Sequence, residues 1–568
     1  MAQSDTLSQF APLFESDSYT FEEKQRLKPF FTNIDASVYI PLIISPELIG
    51  ALCSRTSRAA EDLRKIYLRE FIDPFLHPTR DEKESDSDWS QKQAFSESLR
   101  EFILFLQTHS FLDIFSNPRA RSFYVRWLAQ YGDDSIAQMA GLHLVFTGIS
   151  QVAIKHLEDQ RIGIAPLEKS TRYVDYSKKI GGHYAYYRDP SLSKFGLMDE
   201  YVRVMDGLFD AYSNLIPKCI ASLSKKFPNE KPSVIEKKAF DILRGLLPTS
   251  TLSQVAFFGN GQAFEYLIQR CARHPLGEIR WIAERSYEEL VQVVPSFVRR
   301  IKDEERKELV ENYQDYLAHK SDRVSRFACQ KISDIRETES SVQLVEYDIR
   351  GEEKIITGIV YTATGNTSSW NEIYTNVCKM SNDEKRNVLD AYCAGRNARW
   401  QKIGRAFENT YVRFDILMNI GAWRDVHRHR MHTQQRQLFS CNHGFDTPTE
   451  LIESGLDREF TDAIHRVEEV YEKIAVKDIY CAQYCVTLAH RIRFMQWQNL
   501  RECFWEIELR TIPEGHPDYR HIEQQKFALL KQTYPLITEH MLVNVGDYDF
   551  ARRGQEEKIQ KKLLNLNT

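Results

Sequence analysis

Residues 424–433 read RDVHRHRMHT, which places three arginines, three histidines and one aspartate in ten positions. Neighbouring cations repel one another unless an anion or carboxylates neutralise them. A diphosphate is therefore a natural partner for Arg428, His429 and Arg430, with an exposed cationic face as the plainer alternative. A metal held by His427, His429 and His432 fits poorly, because the interleaved arginines oppose a dication and no cysteine or carboxylate pair completes the set. A second stretch, EKSTRY at 168–173, alternates Glu168, Ser170 and Arg172. In an extended segment that alternation points all three side chains to one side. Carboxylate, hydroxyl and guanidinium together suit a polar ligand with a phosphate and hydroxyls, although a surface salt-bridge patch has the same composition.

The elements that must position these groups are mostly helical. With 568 residues the chain is too long for one core, so at least two domains are expected. The formal net charge of −5 excludes a general nucleic-acid binder, so affinity for phosphate must come from local clusters. No apolar run reaches the ~20 residues that cross a bilayer, and the first 25 residues lack the pattern of a secretory signal. The ten cysteines are scattered without a CxxC pair, and Cys481 and Cys485 read as core, so a cytoplasmic protein with reduced thiols is expected. Helical spacing runs through 45–75, 197–223 and 234–248, with a polar break at 85–91 and further helix to about Gln130. Residues 341–364 alternate β-branched side chains around Arg-Gly-Glu-Glu and predict a hairpin. That switch, following a charged helix near 302–335, sets the domain boundary, giving 1–335 and 336–568.

The two halves repeat one another. NGQAFEYLIQRCARHPLGEIR (260–280) and NLRECFWEIELRTIPEGHPDYR (499–520) share the order Asn, apolar helix, Arg, His-Pro, Arg. Each is followed by a long helix ending at Pro, so the chain reads as a divergent tandem duplication. It resembles the flavin-dependent thymidylate synthases in a double-length version. Their hallmark, Arg-His-Arg-x-x-Ser-x-Asn-Glu-x-Ser-x-Arg-Tyr, is split here: EKSTRY stands in the first half and RHRMHT in the second. YGDDSIAQ (131–138) is similar to an upstream family segment, with Asp133 for His and Gln138 for Glu. LRGLLP supplies Arg244 of the Ala-Arg-x-x-Leu-Pro element, whose second-half position is Gln483.

The resemblance implies an α+β fold of two tandem thymidylate-synthase-complementing-type domains, helix-rich around a β-sheet. It implies dUMP binding by Glu168, Ser170, Arg172, Tyr173 and Arg244, all in the first half. It implies FAD binding by Glu408, Arg428, His429, Arg430, Asn499, Arg501 and His516, with His274 as a first-half flavin-side match. Arg510 and its counterpart Arg270 would face the uracil and stabilise charge developing there. The implied reaction is reductive methylation of dUMP, with methylenetetrahydrofolate giving the carbon and FAD reduced by NADPH giving the hydride. Complementary losses suggest composite sites, with nucleotide residues from one half and flavin residues from the other. Because the family's sites lie between subunits, a homodimer joining the two sides from different chains is favoured. The second half's nucleotide side, with Leu438 and Ser440 where Ser and Arg belong, reads as lost, as does the first half's flavin side at 159–161. The alternatives are a catalytically retired homologue that binds nucleotide or flavin, and an enzyme modifying another pyrimidine. No metal, nucleic acid or membrane partner is expected.

Overall fold

The computed structural model describes residues 7–14, 17–82, 84–109, 117–124, 126, 135–332, 341–550 and 562. Two four-stranded antiparallel sheets carry the fold. The first joins β1 (Val38–Tyr39), β2 (Gly141–Ser150), β3 (Ile164–Glu168) and β4 (Leu252–Asn260) in the order β1-β2-β4-β3. The second joins β5 (Val342–Tyr347), β6 (Tyr411–Asn419), β7 (Thr433–Arg436) and β8 (Arg491–Asn499) in the order β5-β6-β8-β7. The duplication is thus written in the topology, inside an otherwise helical α+β chain.

Register makes the repeats comparable residue by residue. Gly141 pairs with Asn260 at one end of the first sheet, as Tyr411 pairs with Asn499 in the second. Ser150 pairs with Leu252 at the other end, as Asn419 pairs with Arg491. β2 is one residue longer than β6 because of an irregularity between Thr147 and Ile149, where Gly148 takes φ +73°. That conformation suits glycine, and an added Cβ would meet the Phe14 ring at 2.9 Å.

The last residue of each central strand caps the helix that follows. Ser150 caps α1 (Gln151–Glu158), and Asn260 caps α2 (Gly261–Cys271), which precedes α3 (Gly277–Val293). Asn419 caps α4 (Ile420–Val426), and Asn499 caps α5 (Leu500–Arg510), which precedes α6 (Pro517–Thr533). In all four the side-chain oxygen accepts the N–H three residues on, satisfying a donor the helix leaves open.

Two sequence expectations are corrected. The polar run at 85–91 is no break: Ser85 caps the helix Asp86–Thr108, accepting from Asp88 N at 3.1 Å. The hairpin at 341–364 is a strand followed by the helix Gly351–Tyr361. Ile355, Ile356 and Ile359 are buried on one helical face, a spacing that β-branched alternation had disguised. The expected helix toward Gln130 appears as Pro118–Tyr124, and most of its remainder lies outside the described residues.

The chain divides into two compact units. Unit 1 comprises Met1–Lys218, Leu246–Ile335 and Arg458–Val486; unit 2 comprises Cys219–Gly245, Arg336–Asp457 and Thr487–Thr568. Each therefore contains a segment of the other repeat. In unit 1, Thr249 N donates to Val486 O at 2.7 Å, and the rings of Tyr187 and Tyr484 lie 4.9 Å apart. In unit 2, Lys238 pairs with Glu450 at 2.8 Å and Ala489 N donates to Gly245 O at 3.0 Å.

Glu278 fastens the incoming segment of unit 1. Its fully buried carboxyl accepts from Ser150 N at 2.8 Å, Ser150 Oγ at 2.6 Å and Tyr484 OH at 2.8 Å. Burial pushes this carboxyl from 4.5 up to about 7, against the opposing pull of the Ser150 and Tyr484 bonds. Between those values the folded state binds more protons than the unfolded one. Stability therefore falls as pH rises through that window. Glu278→Gln should remove up to about 3 kcal/mol of this fall, read as the difference between wild-type and variant urea unfolding at pH 4.5 and pH 7.5. Parallel stability–pH curves for the two proteins would contradict the assignment.

Candidate functional site

Unit 2 gathers most of the residues singled out above. The turn after α4 carries Arg428, His429 and Arg430 and returns to the sheet as β7. Arg428 is half-buried, His429 buried and Arg430 exposed. Arg501, in the first turn of α5, pairs with Glu408 at 2.7 Å, and Arg405 pairs with Glu408 at 2.9 Å. The Arg405 bond, followed by that of Arg501, holds the Glu408 carboxyl below its ordinary range although partial burial opposes this. Asn499, expected on the flavin side, has its side-chain oxygen engaged as the α5 cap.

His429 connects the turn to α5. Its Nδ1 lies 3.2 Å from Glu502 Oε1, and its Nε2 accepts from Arg510 Nε at 2.9 Å. Arg510 Nη2 donates to Asp425 O in the last turn of α4. Among the described residues, Arg510 Nη1 has no hydrogen-bond partner. The network continues inward through His432, whose Nδ1 is 3.8 Å from Glu502, to Gln496 and a buried charge cluster. There Lys526 Nζ donates to Gln496 Oε1 and Glu506 Oε2, each at 2.9 Å, and lies 3.1 Å from Glu523. Burial pushes the Glu506 carboxyl up, but the Lys526 ammonium beside it outweighs this and holds the group low. Burial, then the Glu506 charge, pushes Glu523 up to about 8. Of the two carboxyls, Glu523 is thus the more readily protonated.

Arg244 belongs to the first repeat by sequence and to unit 2 by structure. It is buried, its Nε lies 3.5 Å from Asp241, and Asp241 lies 3.4 Å from His516 Nε2. The same Nε would stand 3.3 Å from a Cβ added to Gly421, so glycine in the first turn of α4 leaves room for the guanidinium. Gly421 and Asp425 are four residues apart, so Arg244 and Arg510 meet α4 roughly 6 Å apart along its axis. Arg244 of the first repeat and the 428–430 turn of the second thus lie in one unit.

Unit 1 holds the rest and treats them differently. β3 ends at Glu168 and 171–173 form a turn, so the expected extended alternation of EKSTRY is absent. Ser170 Oγ instead accepts from Arg172 N at 3.2 Å, and Arg172 lies 5.7 Å from the Tyr173 ring. Glu168 is buried against Lys155 Nζ at 2.8 Å, with Glu158 at 2.6 Å on the same ammonium. Its carboxylate serves a buried ion cluster, where the sequence reading had it receive a sugar hydroxyl. Arg270 Nη2 donates to His156 O at 3.2 Å, the counterpart of Arg510 on Asp425 O. His274 Nδ1 accepts from Leu276 N at 3.1 Å, as His516 Nδ1 does from Asp518 N at 3.2 Å. At the place of Arg-His-Arg stand Asp159, Gln160 and Arg161, with Arg161 buried and at φ +63°. Gln138 is exposed and donates to Gln262 at 2.9 Å, while Asp133 lies outside the described residues.

The sequence profile described as thymidylate synthase complementing protein matches residues 85–296 and, a second time, 323–536. The chain belongs to that family. A UPF0159 protein of Chlamydia pneumoniae is 34% identical over 556 residues, covering 96% of this chain and 98% of its own. A UPF0159 protein of Thermoplasma acidophilum is 29% identical over 547 residues, covering 90% and 98%. A UMP/dUMP methylase, PolB from Streptomyces cacaoi, solved with 5-Br dUMP, is 14% identical over 35% of this chain and 93% of its own, with a TM-score of 0.28, too slight a likeness to build on. No helix among the described residues is long and apolar enough to cross a membrane.

Within this thymidylate synthase complementing chain, the sequence reading overlooked Glu502, Asp241 and Gly421. Asn-x-x-Glu at 499–502 reads as a helix-start signal, which hides a carboxylate that also meets His429. Asp241 stands one turn before Arg244, a spacing visible in sequence but common on any helix. The buried cluster yields a direct check. Lys526→Met strands the Glu506 carboxylate, and unfolding by denaturant should show a loss of ~3–5 kcal/mol. A loss under about 1 kcal/mol would mean that the cluster is hydrated or already neutral.

Proposed function

We propose that the protein is an FAD-dependent thymidylate synthase that methylates dUMP at C5, taking carbon from methylenetetrahydrofolate and electrons from NADPH, at a site composed from both repeats. The observation that carries this reading is the placement of first-repeat Arg244 in the same unit as Arg428, His429, Arg430 and Arg510. The donor set of unit 2 fits FAD: two guanidinium groups, half-buried and exposed, flank a buried imidazole, and the surface pair Glu408–Arg501 adds an acceptor and a donor. The turn in unit 1 fits it poorly, since Asp159 offsets Arg161 and Arg161 is buried. FAD, when bound, supplies hydride transfer, which no side chain can perform.

The chain's own groups bind and polarise. Arg428 and Arg430 hold the diphosphate. Arg244, oriented by Asp241, is the fork for the nucleotide phosphate. Arg510, fixed at Nε and Nη2, offers Nη1 to the uracil carbonyl where negative charge gathers during C5 attack.

Two measurements test the reading. Purified protein should show the visible absorption of bound flavin, and Arg428→Ala with Arg430→Ala should abolish it; full occupancy in the double variant would reject the assignment. Arg244→Ala should weaken dUMP binding by about 2 kcal/mol, roughly thirtyfold, in a calorimetric titration, the scale for truncating a buried charged donor. An unchanged titration would remove Arg244 from the nucleotide site. Rescue of a thymidine auxotroph by the wild-type gene separates thymidylate synthesis from modification of another pyrimidine.

A further inference from the structure

We propose that Glu502 is a positioning residue: it holds His429 as the Nδ1–H tautomer, so that the Nε2 lone pair fixes Arg510. The proposal rests on the reading above only where Arg510 is given the uracil as its target. Arginine donates and never accepts, so the 2.9 Å contact between Arg510 Nε and His429 Nε2 requires a lone pair on Nε2. The proton of the neutral ring then sits on Nδ1, which faces Glu502 Oε1 at 3.2 Å. Glu502 is itself held in place: it is buried at 6% exposure, and its own N–H donates to the cap oxygen of Asn499 at 2.9 Å.

The other repeat shows what the arrangement adds. By strand register, Ala263 stands where Glu502 does and Gln160 where His429 does. Gln160 Nε2 donates to Ala263 O at 2.8 Å, filling the space with a local bond. Arg270 keeps the carbonyl bond that Arg510 makes, to His156 O, and among the described residues no imidazole accepts from its Nε. Carboxylate and imidazole are missing together where the cation turn is also degraded. A guanidinium tied by one bond swivels about it, whereas bonds at Nε and Nη2 fix its plane and direct the free nitrogen.

The test uses the full chain labelled with ¹³C,¹⁵N-histidine, with the His429 resonance assigned by its loss in His429→Gln. Wild-type protein should show the Nδ1–H tautomer. Glu502→Ala should convert it to the Nε2–H form, and Glu502→Gln, which keeps an acceptor oxygen, should restore it. With dUMP as substrate, Glu502→Ala should lower kcat by about tenfold or more while KM moves less, the usual scale for removing a group that orients a functional residue. An Nε2–H ring in the wild type overturns the proposal without needing any variant to fold. An unchanged tautomer in Glu502→Ala, or a changed tautomer with unchanged kcat, overturns it as well. A wild-type protein that binds no flavin and leaves dUMP unconverted rejects the enzyme reading, while the tautomer still decides the role of Glu502.

Discussion

Taking an ammonium out of water is affordable only if carboxylates come with it, and each unit is arranged around one such bargain. In unit 1 the buried ammonium is Lys155, met by Glu158 and Glu168. In unit 2 it is Lys526, met by Glu506 and Glu523. The consequences differ because the positions differ. Lys155 lies on the helix after the second strand, so its partners include Glu168, the last residue of β3. Lys526 lies on α6, so its cluster reaches His432 and Glu502 and stiffens the floor under the cation turn. One physical requirement, met at two places in a duplicated fold, accounts for much of the structural difference between the repeats.

The exchange of segments completes that asymmetry. Residues 219–245 bring Arg244 into unit 2, and residues 458–486 bring Gln483 and Tyr484 into unit 1. Size matches charge at the receiving helices: Gly421 stands where Arg244 approaches, and Val152 holds the equivalent place on α1. An arginine needs space and a carboxylate, which unit 2 supplies as Gly421 and Asp241. Unit 1 supplies neither at that position and receives a glutamine. The difference between the repeats is thus recorded in packing as well as in motif residues.

The duplication, the helical content and the pairing of Arg270 with Arg510 and of His274 with His516 were legible in the sequence, because caps and helix starts are local. Asn260 and Asn499 announce the same strand-to-helix crossing in both repeats. What the sequence hid depends on partners far along the chain. The alternation of Glu168, Ser170 and Arg172 looks extended until the strand is known to stop at Glu168, and nothing near Glu168 reveals Lys155 beneath it. The hairpin expected at 341–364 failed for a related reason, since three isoleucines can serve a strand or a helix and the sheet chose only the first six residues. The exchange of segments leaves no local trace, so nothing near Arg244 in the sequence reveals that it joins the unit of the second repeat.

The non-contiguous composition of unit 1 bears on how the chain matures during synthesis. Its long stretch ends at Ile335, but its final piece ends at Val486, after some 150 further residues have been made. At ribosomal speeds of roughly 5–20 residues per second that delay is on the order of ten seconds. Throughout it, the sites destined for Phe460, Ile464, Val467, Ile474 and Tyr484 stand unfilled, and Glu278 lacks its tyrosine. Over that interval the first repeat exposes apolar surface that the finished unit covers, which is the state in which incomplete domains are prone to aggregate.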